Sequence, residues 1–302
     1  MVRKTLELLA VMEPAGVRRG HMRHRVVLVG IGLAVAALGP QAASAADIVY
    51  APALAPVMSP TPVSGWTVTL GAEGRILPTF DGAKGFDYTA FPVFQFRRAG
   101  TNAKFRSPRD GFGFAVFDEG NFRLGPVGKI KLQRREGDDA ALTGLGNVNW
   151  AVELGAFAEY WWLPWLRTRA ELRNGIGGHH GLVGDLSADA VYKFAPQWTL
   201  AGGPRTTWAS AQALDPYFGI STAQAIASGL PVYSTKGGMR SYGAGVQLRY
   251  DIGARWETYT YLEYERLIGD AANSPLVVQR GTRDQFSTGL GVTYSFDVAL
   301  PW

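Results

Sequence analysis

Strict alternation of apolar and small or polar residues, sustained over segments of about ten residues, constrains this chain more than any other feature. Phe286, Thr288, Leu290, Val292, Tyr294 and Phe296 alternate with Ser287, Gly289, Gly291, Thr293 and Ser295. Tyr242, Ala244, Val246, Leu248 and Tyr250 alternate with Gly243, Gly245, Gln247 and Arg249, and the segment around Val148–Glu159 repeats the pattern. A period of two places successive side chains on opposite faces of a strand. A soluble sandwich alternates too, but its outer face carries many Lys, Glu and Thr. Here one face is aliphatic with aromatic ends, and the chain is only 18% charged. That is the pattern of membrane-crossing strands.

Loop lengths add a second constraint. Twelve strands are expected near 66–76, 87–98, 101–106, 111–117, 120–132, 148–160, 165–175, 183–195, 197–208, 238–251, 254–267 and 284–296, with ten as the alternative. Connections at one end are short (99–100, 118–119, 161–164, 196, 252–253). Those at the other are mostly long (77–86, 133–147, 176–182, 209–237, 268–283), with 107–110 the exception. Short turns on one side and long loops on the other describe an antiparallel up-and-down barrel with both termini in the periplasm. Closing the sheet removes edges that lipid cannot satisfy. Trp161, Trp162, Trp165, Trp198, Tyr250, Trp256 and Phe296 gather at the short-turn end, as an interfacial belt requires.

Residues 1–45 read as a signal peptide. Met22-Arg23-His24-Arg25 is a positive n-region, Val26–Gly39 an apolar stretch and Ala43-Ser44-Ala45 a small-x-small cleavage site. Residues 1–21 look like an upstream extension, with Met22 an alternative start. The apolar stretch is too short to span a membrane as a helix. Residues 46–65, with Pro52, Pro56, Pro60 and Pro62, form a linker, and 66–302 the barrel. Without the leader the basic residues fall from 30 to 24 and the acidic from 25 to 23. The net charge of +5 then shrinks to about +1, which removes the electrostatic case for nucleic acid. The chain has no cysteine, so neither disulfides nor thiolate metal sites arise.

The inward set is charged with both signs. It holds Arg167, Arg169, Glu171, Arg173, Asp185, Asp189, Arg249, Glu257, Glu263 and Glu265, together with Glu73, Arg75, Lys129, Lys131, Glu153, Glu159, Lys193 and Arg205. Such a lining either neutralises the interior or borders a narrow polar pore. No G-x-S-x-G or S-x-x-K occurs. The two histidines beyond the leader, His179 and His180, lie in a glycine-rich loop where a solvated pair is the expectation rather than a metal site. Glu263 and Glu265 share the lumen face but sit among cations that keep both ionised. An enzyme is not expected, nor is a cofactor.

Two loop segments carry a sharper signal. One is Tyr217-Phe218-Gly219-Ile220-Ser221, continuing through Gln224-Ala225 to Ser228-Gly229-Leu230-Pro231 and Tyr233. The other runs from Leu267 through Gly269-Asp270-Ala271-Ala272-Asn273-Ser274-Pro275 to Val277 and is followed by Gly289–Phe296. With Pro78-Thr79-Phe80-Asp81-Gly82, they resemble the MipA/OmpV family of outer-membrane proteins over about 66–296. The family prefers Tyr where Phe80 stands, and its members usually end near Phe296, whereas this chain adds 297–302. The resemblance implies a non-enzymatic barrel in the Gram-negative outer membrane, in contact with its lipid. It further implies a scaffold joining a lytic transglycosylase to a murein synthase, with porin-like or adhesive roles as alternatives. The loop 209–237, through Tyr217, Phe218, Gly219, Ser228, Gly229 and Tyr233, is expected to fold into the lumen.

Overall fold

A computed structural model describes residues 65–101 and 103–299. The expected leader, most of the linker and Trp302 lie outside the described residues.

The strands are β1 (Trp66–Pro78), β2 (Phe86–Arg98), β3 (Phe112–Gly113), β4 (Phe117–Glu119), β5 (Phe122–Lys131), β6 (Ala151–Leu163), β7 (Leu166–Gly177), β8 (Leu182–Ala195), β9 (Trp198–Ser210), β10 (Gly237–Ile252), β11 (Trp256–Leu267) and β12 (Asp284–Val298). They form one twelve-stranded antiparallel sheet in the order β2-β1-β12-β11-β10-β9-β8-β7-β6-β5-β3, with β4 also on β5. Pairing of β1 with β12, from Trp66 opposite Val298 to Ile76 opposite Thr288, joins the two ends of the chain. The barrel is nearly closed, and the one seam lies between β2 and β5.

Side-chain direction follows from the pleat. Leu154, Leu172, Leu186, Leu200, Val246, Leu262 and Leu290 face outward as an exposed apolar band. Their alternating neighbours Glu153, Arg173, Asp185, Gln247 and Glu263 turn inward. At the short-turn end aromatic rings pack against one another at a tilt, with ring centres of Trp198 and Tyr250 4.5 Å apart and of Trp256 and Tyr294 4.8 Å apart. This fits the belt expected there.

The alternation marked the long strands to within a few residues, but failed at one place. The described residues of 101–106 form no strand, and 107–110 is not an outer loop. Instead, 103–111 leaves the wall and turns inside the lumen, and only the stubs β3 and β4 occupy the expected fourth strand. Pro108 lacks the N–H a ladder needs, and Arg109 and Asp110 find partners in the lumen that water would otherwise have to supply.

At the opposite end the long loops fold together. The helices α1 (Ala211–Phe218), α2 (Thr222–Ser228) and α3 (Gly269–Asn273) and a π-helical turn, Leu276–Arg280, pack on 79–85 and 136–146. Val148, Leu214, Phe218, Leu267 and Val277 form one apolar cluster there. Phe80, Leu142, Leu145, Ile220 and Leu276 form the second. α2 has a sequence-legible start: Ser221 accepts from Gln224 N while the Gln224 side chain accepts from Ser221 N, a reciprocal cap.

Candidate functional site

The lumen is organised around β7. Arg167, Arg169, Glu171 and Arg173 fall every second residue and so all point inward. The register brings opposite charges face to face at two positions: Arg169 lies opposite Glu159 of β6, and Arg167 opposite Asp189 of β8. Glu171 instead faces Asp185, a like charge, and Arg173 bridges the two carboxylates. Arg167 is 0% exposed and donates to Asp110 (2.6 Å), Glu159 (2.9 Å) and Asp189 (3.0 Å). Arg169 donates to Glu171 (2.8 Å) and Glu159 (3.2 Å). Arg173 donates to Glu153 (2.9 Å) and Asp185 (2.6 Å) and pairs with Glu171.

From β8 the network runs on around the wall. Asp189 meets Arg205 at 2.7 Å, and Arg205 meets Glu263 at 3.6 Å. Arg249 pairs with Glu257 at 3.3 Å, and Glu265 accepts from Arg240 at 2.6 Å. The ten charged residues singled out from the sequence stand on these inward strand faces, mostly as paired charges. Lys193 differs, standing exposed at the periplasmic rim.

The inward segment 103–111 is the part the alternation missed, and it is bonded to the far wall. Arg109 donates to Glu265 (2.8 Å) and Thr207 (2.7 Å). Gly111 N donates to Glu171 (3.1 Å), and Arg249 donates to the Arg106 carbonyl (3.4 Å). Arg205 donates to the Ser107 hydroxyl at 3.3 Å. Phe105 packs under the Arg167 and Arg249 guanidiniums, 5.4 and 5.7 Å from its ring centre. The segment thus crosses the lumen from β2 to β7–β11. A cavity of about 690 Å³ lies toward the periplasm and one of about 410 Å³ toward the cap.

A further buried group holds Glu73, which accepts from Tyr259 (2.6 Å) and Tyr261 (2.9 Å) and pairs with Arg75. The two rings fit because β12 offers glycine opposite them. A Cβ at Gly291 would fall 2.4 Å from the Tyr259 ring, and one at Gly289 2.6 Å from Tyr261.

His179 does not lie in solvent as its loop suggests. It is buried, its Nε2 stands 3.1 Å from Glu153, and a Cβ at Gly175 would strike its ring. His180 is exposed.

The outer loop 209–237 caps the barrel rather than plunging into it. Tyr217 reaches furthest inward: it borders the outer cavity with Lys131 Nζ 3.8 Å from its ring centre, and Arg134 donates to its carbonyl at 2.9 Å. Burial, with Asp81 and Glu153 nearby, pushes the Tyr217 phenol up. Phe218 is fully buried, and Gly219 N closes α1 on the Asp215 carbonyl at 2.8 Å. Ser228 and Gly229 end α2 at the surface, Gly229 with the positive φ of 74° that its turn requires. Tyr233 stacks on the second apolar cluster.

The two loop segments that carry the family resemblance meet here. Tyr233 Oη donates to the Asp270 carbonyl at 2.9 Å, and Ser274 Oγ to the Phe218 carbonyl at 2.6 Å. Below them, burial opposes ionisation of Asp81. Lys131 at 2.5 Å and Arg240 at 3.6 Å outweigh it and hold that carboxyl below the usual range.

The family described as MltA-interacting protein MipA matches residues 70–296. Outer membrane protein Omp26La of Vibrio anguillarum is 29% identical over 150 residues, which is 50% of this chain and 52% of that protein. The match therefore spans about half the length of this curated relative. Among solved structures, an outer-membrane channel of Pseudomonas putida F1 aligns at 12% identity over 80% of this chain and 99% of its own, with a TM-score of 0.43. The KdgM porin aligns at 11% identity over 76% and 99%, with a TM-score of 0.37.

Proposed function

Because the chain belongs to the MipA family of outer-membrane proteins, we propose that it is a non-catalytic docking barrel. Its periplasmic rim holds murein-remodelling enzymes, a lytic transglycosylase first and a murein synthase with it. The observation that carries this reading is the lumen: a buried charge network, the inward segment 103–111 and the packed outer loops oppose free passage. What remains accessible from the periplasm is the rim, made of the turns at 99–100, 120–121, 164–165, 196–197 and 253–255. β1 begins and β12 ends at the same rim, Trp66 opposite Val298.

The test is capture. Folded barrel in mild detergent is presented with a solubilised envelope extract, and the bound proteins are identified by mass spectrometry. A lytic transglycosylase is expected, and replacing the five turns by unrelated ones of equal length should release it. Capture that survives turn replacement and trimming of both tails would remove the rim as the docking surface.

A second reading, a narrow pore for small polar solutes, is favoured by one observation. The segment dividing the two cavities is tied to the far wall by side-chain bonds and not by a ladder. In that case the segment is a gate, and stable currents whose selectivity follows Arg169→Glu or Glu263→Lys would support it.

A further inference from the structure

The seam between β2 and β5 is an anomaly for a chain in lipid. β2 pairs with β1 along its whole length. On its other side no strand ladder reaches it among the described residues, and the one further backbone bond is local, Thr101 N donating to the Arg98 carbonyl in the turn that follows. A single side chain spans the gap, Arg106 Nη1 donating to the Phe94 carbonyl at 3.1 Å. Facing it, β5 is covered only by the stubs β3 and β4. Unpaired backbone groups in hydrocarbon cost roughly several kcal/mol each, which is why spanning sheets close.

The larger cavity opens at this seam. Its lining includes consecutive residues on both sides, 95–98 and 113–119. Consecutive strand residues point to opposite faces, so a cavity that touches all of them reaches both the lumen and the outer surface.

The two surfaces it joins differ in chemistry. Phe94, Phe96, Phe114 and Val116 are exposed on the outer side. Arg97 and Arg98 end β2 at the short-turn rim, level with the aromatic belt. Neither pairs with a carboxylate among the described residues; Arg97 donates only to the Thr101 carbonyl, at 2.5 Å. Aliphatic and aromatic surface beneath unpaired guanidiniums, at headgroup depth on the periplasmic side, matches an anionic amphiphile.

We infer that an anionic glycerophospholipid of the inner leaflet occupies the seam. Arg97 from the lumen face of β2 and Arg98 from its outer face both line the cavity and hold the phosphate between them, a geometry guanidinium suits. Its ester oxygens accept from the free β2 edge, and an acyl chain lies along Phe96, Phe114 and Val116. This lipid site is independent of the docking function.

Native mass spectrometry tests it, using the folded barrel released from micelles containing phosphatidylglycerol or phosphatidylcholine. One phosphatidylglycerol should persist at energies that strip phosphatidylcholine. Arg97→Ala with Arg98→Ala should lower its occupancy at least tenfold, while Lys193→Ala, a basic residue at the same rim on another strand, leaves it unchanged. Millimolar inorganic phosphate should not displace the lipid, because the acyl chain contributes. Equal retention by wild type and the double variant, displacement by free phosphate, or a lipid-free dimer joined edge to edge would each overturn the assignment.

A second measurement covers the case in which the double variant does not fold. The chain has no cysteine, so a fluorophore on Phe96→Cys is unique. Brominated phosphatidylglycerol should quench it more than brominated phosphatidylcholine at equal concentration, and equal quenching would refute selectivity at the seam.

Discussion

Replacing Arg167 with methionine should be among the most damaging single changes in this barrel. The side chain is fully buried and donates to three carboxylates on three different segments. Methionine keeps much of the volume and removes the charge, leaving Asp110, Glu159 and Asp189 short of a partner. Breaking a buried pair by deleting one member costs about 3–5 kcal/mol, mainly because a charge stays buried without compensation. Each carboxylate retains a second cation: Arg169 near Asp110 at 3.7 Å, Arg123 on Glu159 at 3.1 Å and Arg205 on Asp189 at 2.7 Å. The expected loss therefore sits at the lower end, about 3 kcal/mol. With a urea slope of about 1–3 kcal/mol per molar, the unfolding midpoint in phospholipid vesicles should fall by about 1–3 M. Adding Asp110→Asn to the variant should recover part of the loss, since one of the stranded charges disappears. A midpoint within about 0.3 M of wild type would refute the view that the lumen network is what holds 103–111 inside.

Four further outcomes follow from named contacts. Gly291→Val should prevent folding, read as loss of the heat-dependent gel shift, because its Cβ meets the Tyr259 ring; Gly74→Ala, with open space around it, should fold normally. Phe218→Ala should loosen the cap by about 3–5 kcal/mol, seen as proteolysis within 209–237 while the strands stay protected. Arg109→Ala with Asp110→Ala should release the inward segment and give planar-bilayer currents that wild type lacks. Asp81 has a folded-state pKa below its unfolded value, so its contribution is full above about pH 4 and is lost as pH falls through the folded value. Acid should therefore open the cap to protease, and Asp81→Asn should flatten that dependence.

Most of the barrel was legible because the relevant information is local. Alternation in 242–250 and 286–296 needs only the pleat, and it located β10 and β12 with the correct inward faces. The inward charges followed from the same parity. Their partners did not, because which carboxylate faces Arg167 depends on the register of β8 and on where Asp110 arrives from across the lumen. Residues 101–106 were misread for a related reason. A short polar segment with a period of two looks the same whether a neighbouring strand completes its ladder or side chains of a far wall do. Pro108, followed by Arg109 and Asp110, was the available warning. The Ala/Gln stretch in 222–228 was recognisable as helical, but its destination depends on apolar partners at Phe80, Leu142 and Leu276, far apart in sequence. His179 was hidden likewise, since nothing near it in the chain announces Glu153.

The proposal that the barrel works at its periplasmic rim is tested most directly by titrating a purified lytic transglycosylase against the folded barrel in lipid nanodiscs. Binding should saturate, survive Arg109→Ala with Asp110→Ala in the lumen, and vanish when the five short turns are exchanged. Absence of binding to a barrel shown to be folded, or binding indifferent to the turns, would contradict it.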